Sequence, residues 1–400
     1  MHTETQIAEN LYYIGASDRR ISLFENAHPL NNGISYNSYL FLDEKTAVLD
    51  TVDEACANLY FANLDFLLKD RPLDYLIVTH MEPDHAALIG NLLLRHPETT
   101  IVVNAMSKRF LLNYFPNLAS ANLLLVKEGS TLSIGKHCFQ FIMAPMVHWP
   151  EVMFAYESTK KILFSADAFG TFGALSGNVF ADERSLDAAH LPELRRYYAN
   201  IVGKFGDQVN AVLKKVAPLE LKMIAPLHGP IYTKDLAKVI DVYKTWASYE
   251  PEEKDGVMIA YSSCYGNTAE ASACLATKLA QKGVSNLAMY DVSNTDPSYL
   301  IAESFRVKTI VLATTTYNAG VFVKMEDFLH DFANHKIRNR NLVLIENGSW
   351  APAAKAGMKK ILEGLDLNYL DESLTITSTL KEEQIAKVEE IADIVVASLG

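Results

Sequence analysis

From residue 257 onward, short apolar runs alternate with amphipathic stretches of helical period, and this alternation constrains the fold more than any other feature of the chain. Val257 to Tyr261, Asn286 to Tyr290, Thr309 to Ala313, Leu342 to Glu346 and Leu374 to Thr377 read as strands. Strands separated by helices pair in parallel, and a parallel sheet is covered on both faces. The expected fold is α/β, with a doubly wound five-stranded parallel sheet in this half.

The front half has another rhythm. Half-buried strand patterns come first, Tyr36 to Leu42 and Thr46 to Asp50, with no early helix. Leu73 to Val78 is an apolar run leading to His80, a helical pattern follows over Ala86 to Leu94, and Lys161 to Ser165 and Lys222 to Ile224 are further strands. Between the halves, Ser248 to Gly256 is polar, carries Pro251 and ends in glycine, as exposed connections do. The expected division is residues 1–250, a connection at 251–256, and residues 257–400.

Lys and Arg number 36 against 48 Asp and Glu, a net charge of −12, so neither nucleic acid nor an anionic membrane surface is an expected partner. The chain has no charged-then-apolar leader and no unbroken apolar stretch of about 18 residues, which predicts a cytoplasmic protein. Cys56, Cys138, Cys264 and Cys274 form no C-x-x-C pair, so reduced thiols are expected.

The sharpest local signal is His80-Met81-Glu82-Pro83-Asp84-His85, with four candidate ligands in six positions after a strand and before a helix. In an extended loop His80 and Glu82 point the same way, so they can share one ion while Asp84 and His85 turn to a second. The bland alternative is a helix N-cap, with Asp84 capping Ala86 onward and the histidines on the surface. Further donors come at three strand ends: His148 in Pro145 to Pro150, Asp167 in Phe164 to Gly170, and His228 in Ala225 to Pro230. Singly, each also reads as a satisfied, partly buried residue or a turn cap. Together, four His and three carboxylates match a two-metal site with open positions, and a carboxylate such as Asp167 can bridge two cations.

In the back half, the strand Val257 to Tyr261 runs into Ser262-Ser263-Cys264-Tyr265-Gly266-Asn267-Thr268 and a helix over Ala269 to Lys282. Hydroxyls, the Asn267 amide and backbone N–H groups can surround one phosphate there without a lysine. The loop lacks both G-K-[ST] and G-x-G-x-x-G, so a mononucleotide fits better than a nucleoside triphosphate or a dinucleotide. A capped strand-to-helix turn is the structural alternative. Two more strand ends carry suitable residues: Thr314-Thr315-Thr316-Tyr317-Asn318-Ala319-Gly320, and Asn347-Gly348-Ser349-Trp350-Ala351. Tyr317 and Trp350 offer flat faces for a ring system, or core packing.

The order H-x-E-x-D-H, then H, D and H, resembles the metallo-β-lactamase fold, an αββα sandwich. Hydrolases of that fold mostly carry His where Glu82 stands and bind zinc; Glu at that position resembles the flavodiiron proteins, which bind two irons. His148-Trp149-Pro150-Glu151 resembles that family's H-W-P-[DE] segment, and the three back-half loops resemble flavodoxin, which implies FMN. The resemblance covers nearly the whole chain. It implies reduction of O2 to water, of NO to N2O, or both, with FMN passing electrons to two Fe ions. It assigns His80, Glu82 and His148 to one iron, Asp84, His85 and His228 to the other, and Asp167 as the bridge. It also implies a homodimer or dimer of dimers. Tyr197 and Tyr198 resemble the family's tyrosine-bearing helix, where a hydroxyl can donate to a bound intermediate; helix packing explains them equally well.

The loop that carries a further histidine in many members reads Phe24-Glu25-Asn26-Ala27-His28-Pro29 here, which leaves open whether His28 takes that place and leaves the preference between O2 and NO open. No rubredoxin or flavin-reductase extension follows, so the expected electron donor is external, rubredoxin or a reduced deazaflavin. The rival reading is a zinc hydrolase fused to a flavodoxin-like domain, with metal-bound hydroxide as nucleophile. A third is an electron carrier in which only the flavin works.

Overall fold

The computed structural model describes residues 2–181 and 190–399. The chain forms two compact units, residues 1–198 with 207–244, and residues 199–206 with 245–400. The expected connection at 251–256 is partly sheet, because a strand runs over Glu253–Tyr261 and Glu253 pairs with Val307. Residues before it already pack with the second unit. The buried Tyr249 donates its hydroxyl to the Gly203 carbonyl at 2.9 Å, and its own carbonyl accepts from the Arg340 guanidinium at 2.7 Å.

In the first unit, a seven-stranded sheet has the order Thr5–Ala8, Leu11–Tyr13, Tyr39–Leu42, Thr46–Leu49, Tyr75–Ile77, Thr100–Val103, Leu123–Leu125. The first four strands pair antiparallel and the rest are parallel. A five-stranded sheet follows: Thr131–Ser133, Cys138–Met143, Met153–Glu157, Ile162–Phe164, Met223–Ala225. The core between them follows from the two-residue period of strands. Tyr39 and Phe41, Ala47 and Leu49, Phe139 and Phe141, Met153 and Ala155, and Ile162 and Phe164 are alternate residues of their strands and belong to one buried cluster. Leu40, Val48 and Leu76, on the opposite face, are buried too, so a helical layer is needed there; Ala57–Leu68 buries Tyr60, Leu64 and Leu68. That is the expected αββα arrangement.

In the second unit the parallel strands lie in the order Leu287–Asp291, Glu253–Tyr261, Val307–Tyr317, Arg340–Asn347, Leu367–Asp371. This is the 2-1-3-4-5 order of flavodoxin-like folds, whose ligands bind where the first and third strands part. Helices Asn267–Gln281 and Glu382–Ser398 bury Leu275, Leu279, Ile391 and Val395 against Val257, Ile259, Val311 and Val343. The last expected strand is corrected. The fifth strand is Leu367–Asp371, half exposed at the sheet edge, whereas the more apolar Leu374 to Thr377 contributes only the two-residue strand Thr375–Ile376. No helix among the described residues is long and apolar enough to cross a membrane.

Candidate metal centre and flavin site

Four chain segments deliver the donors, each at a strand end of the first unit. His80 follows Tyr75–Ile77, and Glu82 precedes the short helix Pro83–Ala86, which carries Asp84 and His85. The hexapeptide is therefore extended only through Glu82, because Pro83 at the first helical position starts a turn. The capping alternative fails. Asp84 lies inside that helix, both its oxygens lack hydrogen-bond partners, and His80 and His85 are buried. His148 sits between Cys138–Met143 and Met153–Glu157, Asp167 follows Ile162–Phe164, and His228 follows Met223–Ala225.

Buried hydrogen bonds hold these segments. Leu227 N donates to the Ala166 carbonyl at 2.8 Å, joining the Asp167 and His228 turns. Asn37 Nδ2 donates to the Pro226 and Gly229 carbonyls, both at 2.8 Å. Gly229 has φ +76°, and a Cβ there would lie 2.2 Å from Thr171 Cγ2, so no other residue fits this turn.

The seven donors form two groups, His80, Glu82, His148 and Asp167, and Asp84, His85 and His228, and Asp167 reaches the histidines of the second as well. In the first, His80 Nε2 and His148 Nε2 lie 3.1 and 3.0 Å from Glu82 Oε2, and 3.3 and 3.0 Å from Asp167 Oδ2. In the second, His85 Nε2 and His228 Nε2 lie 3.4 and 3.2 Å from Asp84 Oδ2, and 3.2 and 3.6 Å from Asp167 Oδ1. Asp167 thus turns one oxygen to each group. His85 Nε2 and His228 Nε2 are 3.0 Å apart, a distance suited to two atoms sharing a cation.

The electrostatics point the same way. Among the described residues, the ion pairs of Glu82, Asp84, Asp167 and Glu151 are all with histidine. Burial works against ionisation of Asp167, but His80, His85 and His148 more than offset it and hold its carboxyl well below the usual range. Burial likewise opposes protonation of His80, and Asp167, Glu151 and Glu82 outweigh it and raise its pKa. Buried carboxylates with no Lys or Arg partner, and orphaned oxygens on Asp84 and Asp167, fit bound cations.

Sequence reasoning missed three residues. Asp50 accepts from Thr79 N at 2.7 Å, Thr79 Oγ1 at 2.5 Å and His80 N at 3.3 Å, fixing the ligand segment; burial pushes its carboxyl up to about 6. Its only signal is an acid closing the apolar strand Thr46–Leu49. Glu151, present in the H-W-P-E segment but given no role, lies 2.7 Å from His80 Nδ1. Glu25, with φ +50°, sits in the turn between Leu23–Phe24 and His28–Pro29; partial burial and the nearby Glu82 raise its pKa. Glu25 is thus the acid that this loop places near Glu82. His28 Nε2 stands 4.0 Å from the Glu25 carboxylate.

The tyrosine pair separates. Tyr197 is buried with its ring 5.5 Å from His228 and its hydroxyl without a partner among the described residues, while Tyr198 packs on Tyr243 at 4.9 Å. Helix Leu191–Tyr197 passes directly into a π-helical turn over Tyr198–Val202, and consecutive helical residues lie about 100° apart, so the two rings point in different directions.

In the second unit, Ser262, Ser263, Cys264, Tyr265 and Gly266 link Glu253–Tyr261 to helix Asn267–Gln281, which also holds Thr268. Gly266 has φ +98° and the helix has no side-chain cap, so its first-turn N–H groups are free for a phosphate. Ser262 Oγ is 2.5 Å from Thr314 Oγ1 and Asn347 Nδ2 is 3.3 Å from Thr268 Oγ1, which ties all three strand ends together. The expected loop at Thr314 to Gly320 is corrected to a hairpin. Thr314, Thr315, Thr316 and Tyr317 extend the strand, Asn318 and Ala319 turn with φ +49° and +61°, and Tyr317 pairs with Gly320. Gly348, Ser349 and Trp350 follow Arg340–Asn347. Tyr317 is 47% exposed and Trp350 83%, so neither is core packing, and with the exposed Tyr265 they leave aromatic faces open to a flat ligand.

A family model described as ODP family beta lactamase matches residues 34–229. The nitric oxide reductase of Moorella thermoacetica is 30% identical over 366 residues, spanning 91% of this chain and 89% of the relative. The structure of the flavodiiron protein from Giardia intestinalis has a TM-score of 0.92 at 23% identity, covering 99% of this chain and 97% of that one. Rubredoxin oxygen:oxidoreductase from Desulfovibrio gigas also has a TM-score of 0.92 at 23% identity, covering 99% and 98%.

Proposed function

The chain belongs to the flavodiiron proteins, and from that premise we propose that it reduces O2 to water, NO to N2O, or both, at two non-haem irons supplied with electrons through FMN. The observation that carries the reading is the division of Asp167, one oxygen to each group of donors. His80, Glu82 and His148 would hold one iron, Asp84, His85 and His228 the other, and Asp167 would bridge them. When bound, the irons supply electrons and open coordination positions for the gas, and FMN supplies replacement electrons. Glu82 adds a hard oxygen donor, which favours iron over the zinc of the hydrolase reading.

The chain's own residues do the rest. Asp50 and Thr79 hold the His80 segment rigid, and the buried Tyr197 hydroxyl is available to donate a hydrogen bond within the site. Ser262, Ser263, Asn267, Thr268 and the backbone of Cys264 to Gly266 would take the FMN phosphate. Thr314 to Asn318 and Asn347 to Trp350 would flank its ring. A rubredoxin-type protein or a reduced deazaflavin would pass electrons to the FMN, and the assembly would be a homodimer or dimer of dimers. A cytoplasmic setting is supported by four cysteines that are all unpaired.

Protein prepared without oxygen is expected to contain about two Fe and one FMN per chain, and to consume O2 or NO once reduced. The faster gas sets its preference. Zinc in place of iron, with no gas consumed although iron was supplied, sinks the reading.

A further inference from the structure

The two donor groups resemble each other in the atoms they turn inward and differ in what stands behind them. Behind His80, Nδ1 lies 2.7 Å from Glu151 Oε1, and that oxygen also accepts from Met81 N at 2.9 Å. Behind His228, Nδ1 meets the Ser35 backbone carbonyl at 2.7 Å. Behind His85, Nδ1 is buried and has no hydrogen-bond partner among the described residues.

A histidine that turns Nε2 to a metal carries its proton on Nδ1, and the acceptor of that proton sets how strongly Nε2 donates. A carboxylate draws the proton furthest, a neutral carbonyl less, and an unfilled position not at all. Charge adds to this. Asp167 is shared, so the first group has Glu82 plus Glu151 close behind, whereas the second has Asp84 alone.

Glu151 is itself held for this role at a cost to the fold. It is 1% exposed, its second oxygen has no hydrogen-bond partner, and its ion pair among the described residues is with His80. A buried carboxylate so placed is destabilising unless a cation nearby compensates it. Its position is fixed through the backbone, because Asn104, which caps helix Ala105–Tyr114, donates Nδ2 to the Glu151 carbonyl at 2.6 Å.

We propose, resting on the two-metal reading above, that Glu151 is a positioning residue that makes the His80–Glu82–His148 site the tighter of the two. That site fills first and empties last. The Asp84–His85–His228 site exchanges its metal.

The test is an anoxic Fe(II) titration of metal-free, full-length protein with FMN retained, read against a coloured competing chelator. Two steps are expected, at least about tenfold apart. The variant His228→Ala keeps the tight step and loses the weak one, and His148→Ala does the reverse. Glu151→Gln, which keeps the shape and removes the charge, weakens the tight step about 10–100-fold and leaves the weak step in place. A general loss of structure would instead move both steps together, and would lower the melting temperature of the metal-free protein. Coincident steps in the unaltered protein, loss of the tight step in His228→Ala, or a Glu151→Gln variant that shifts both steps equally or neither overturns the proposal. Should Glu151→Gln not fold, Glu151→Asp, which keeps the charge but shortens its reach to His80 Nδ1, is read in the same titration: weakening of the tight step alone supports the proposal, and no change, or an equal shift of both steps, overturns it. A total of one Fe(II) per chain in the unaltered protein overturns the two-metal reading instead, a result separable by stoichiometry alone.

Discussion

The candidate metal centre and the candidate flavin site are built on opposite plans. Apart from the partly exposed Asp84, the candidate metal donors are buried, come from strand ends locked by backbone hydrogen bonds, and already lie 3.0–3.6 Å apart across each group. The flavin site is an open rim in which hydroxyls tie the strand ends together and aromatic faces stand in solvent. Cations demand converging charge, which only a rigid, dry scaffold can hold against repulsion. A flat cofactor needs backbone donors and an apolar face, and loops supply these at little cost to the fold.

The comparison breaks most visibly at Asp167. Replacing it with alanine removes the one group common to both donor sets, and gas reduction is expected to fall at least about 10³-fold, several kcal/mol of barrier. Iron analysis should show the loss while FMN content stays unchanged; a variant that keeps turnover would end the two-site account. On the other side, Trp350→Ala is expected to weaken FMN about tenfold, the worth of one aromatic contact of roughly 1.5 kcal/mol, without changing iron content. Because Trp350 is exposed, the flavin-free melting temperature should not move, and a clear drop would mean that the side chain serves the fold.

The smallest effect contrasts the histidines of the two units. His335 lies in the second unit with Nδ1 3.2 Å from Asp331 Oδ1; burial opposes its charge, but Asp331 outweighs this and raises its pKa. A raised folded-state pKa adds stability that is complete below the unfolded value near 6.5 and is lost as pH rises through the folded value. Asp331→Asn should therefore destabilise more at pH 6 than at pH 9. The difference should stay within about 1 kcal/mol, since Asp331 is about one-third exposed and screened by water. Equal losses at both pH values, measured by urea unfolding, would show that the contact is not ionic.

Much of the metal centre was legible because its signal is local. Six consecutive residues contribute four donors, and the remaining three stand at strand ends beside proline or small residues. Asp50 and Glu151 were not legible as partners of His80. Each is distant in sequence, and nothing in a lone acid says which histidine it will face. Tyr197 and Tyr198 were indistinguishable in the sequence, since only the packing of their helix decides which of two adjacent rings reaches His228. Hydropathy also misplaced the fifth strand of the second unit. An edge strand is half solvated, so Leu367–Asp371 looks polar, whereas Leu374 and Ile376 look like a strand because they fill the core.

The sequence by itself pointed to the parallel sheet of the back half, the seven candidate metal donors and a candidate phosphate loop, because periodicity and spacing act over short stretches of chain, while the αββα layout of the front half was implied by the resemblance of its ligand motif. Only the tertiary structure decided that Asp167 divides its oxygens between two groups of donors, and that Glu151 backs His80 while, among the described residues, no carboxylate stands behind His85 or His228. Those facts depend on which strand ends meet, and strand ends meet through a core assembled from residues far apart in the chain.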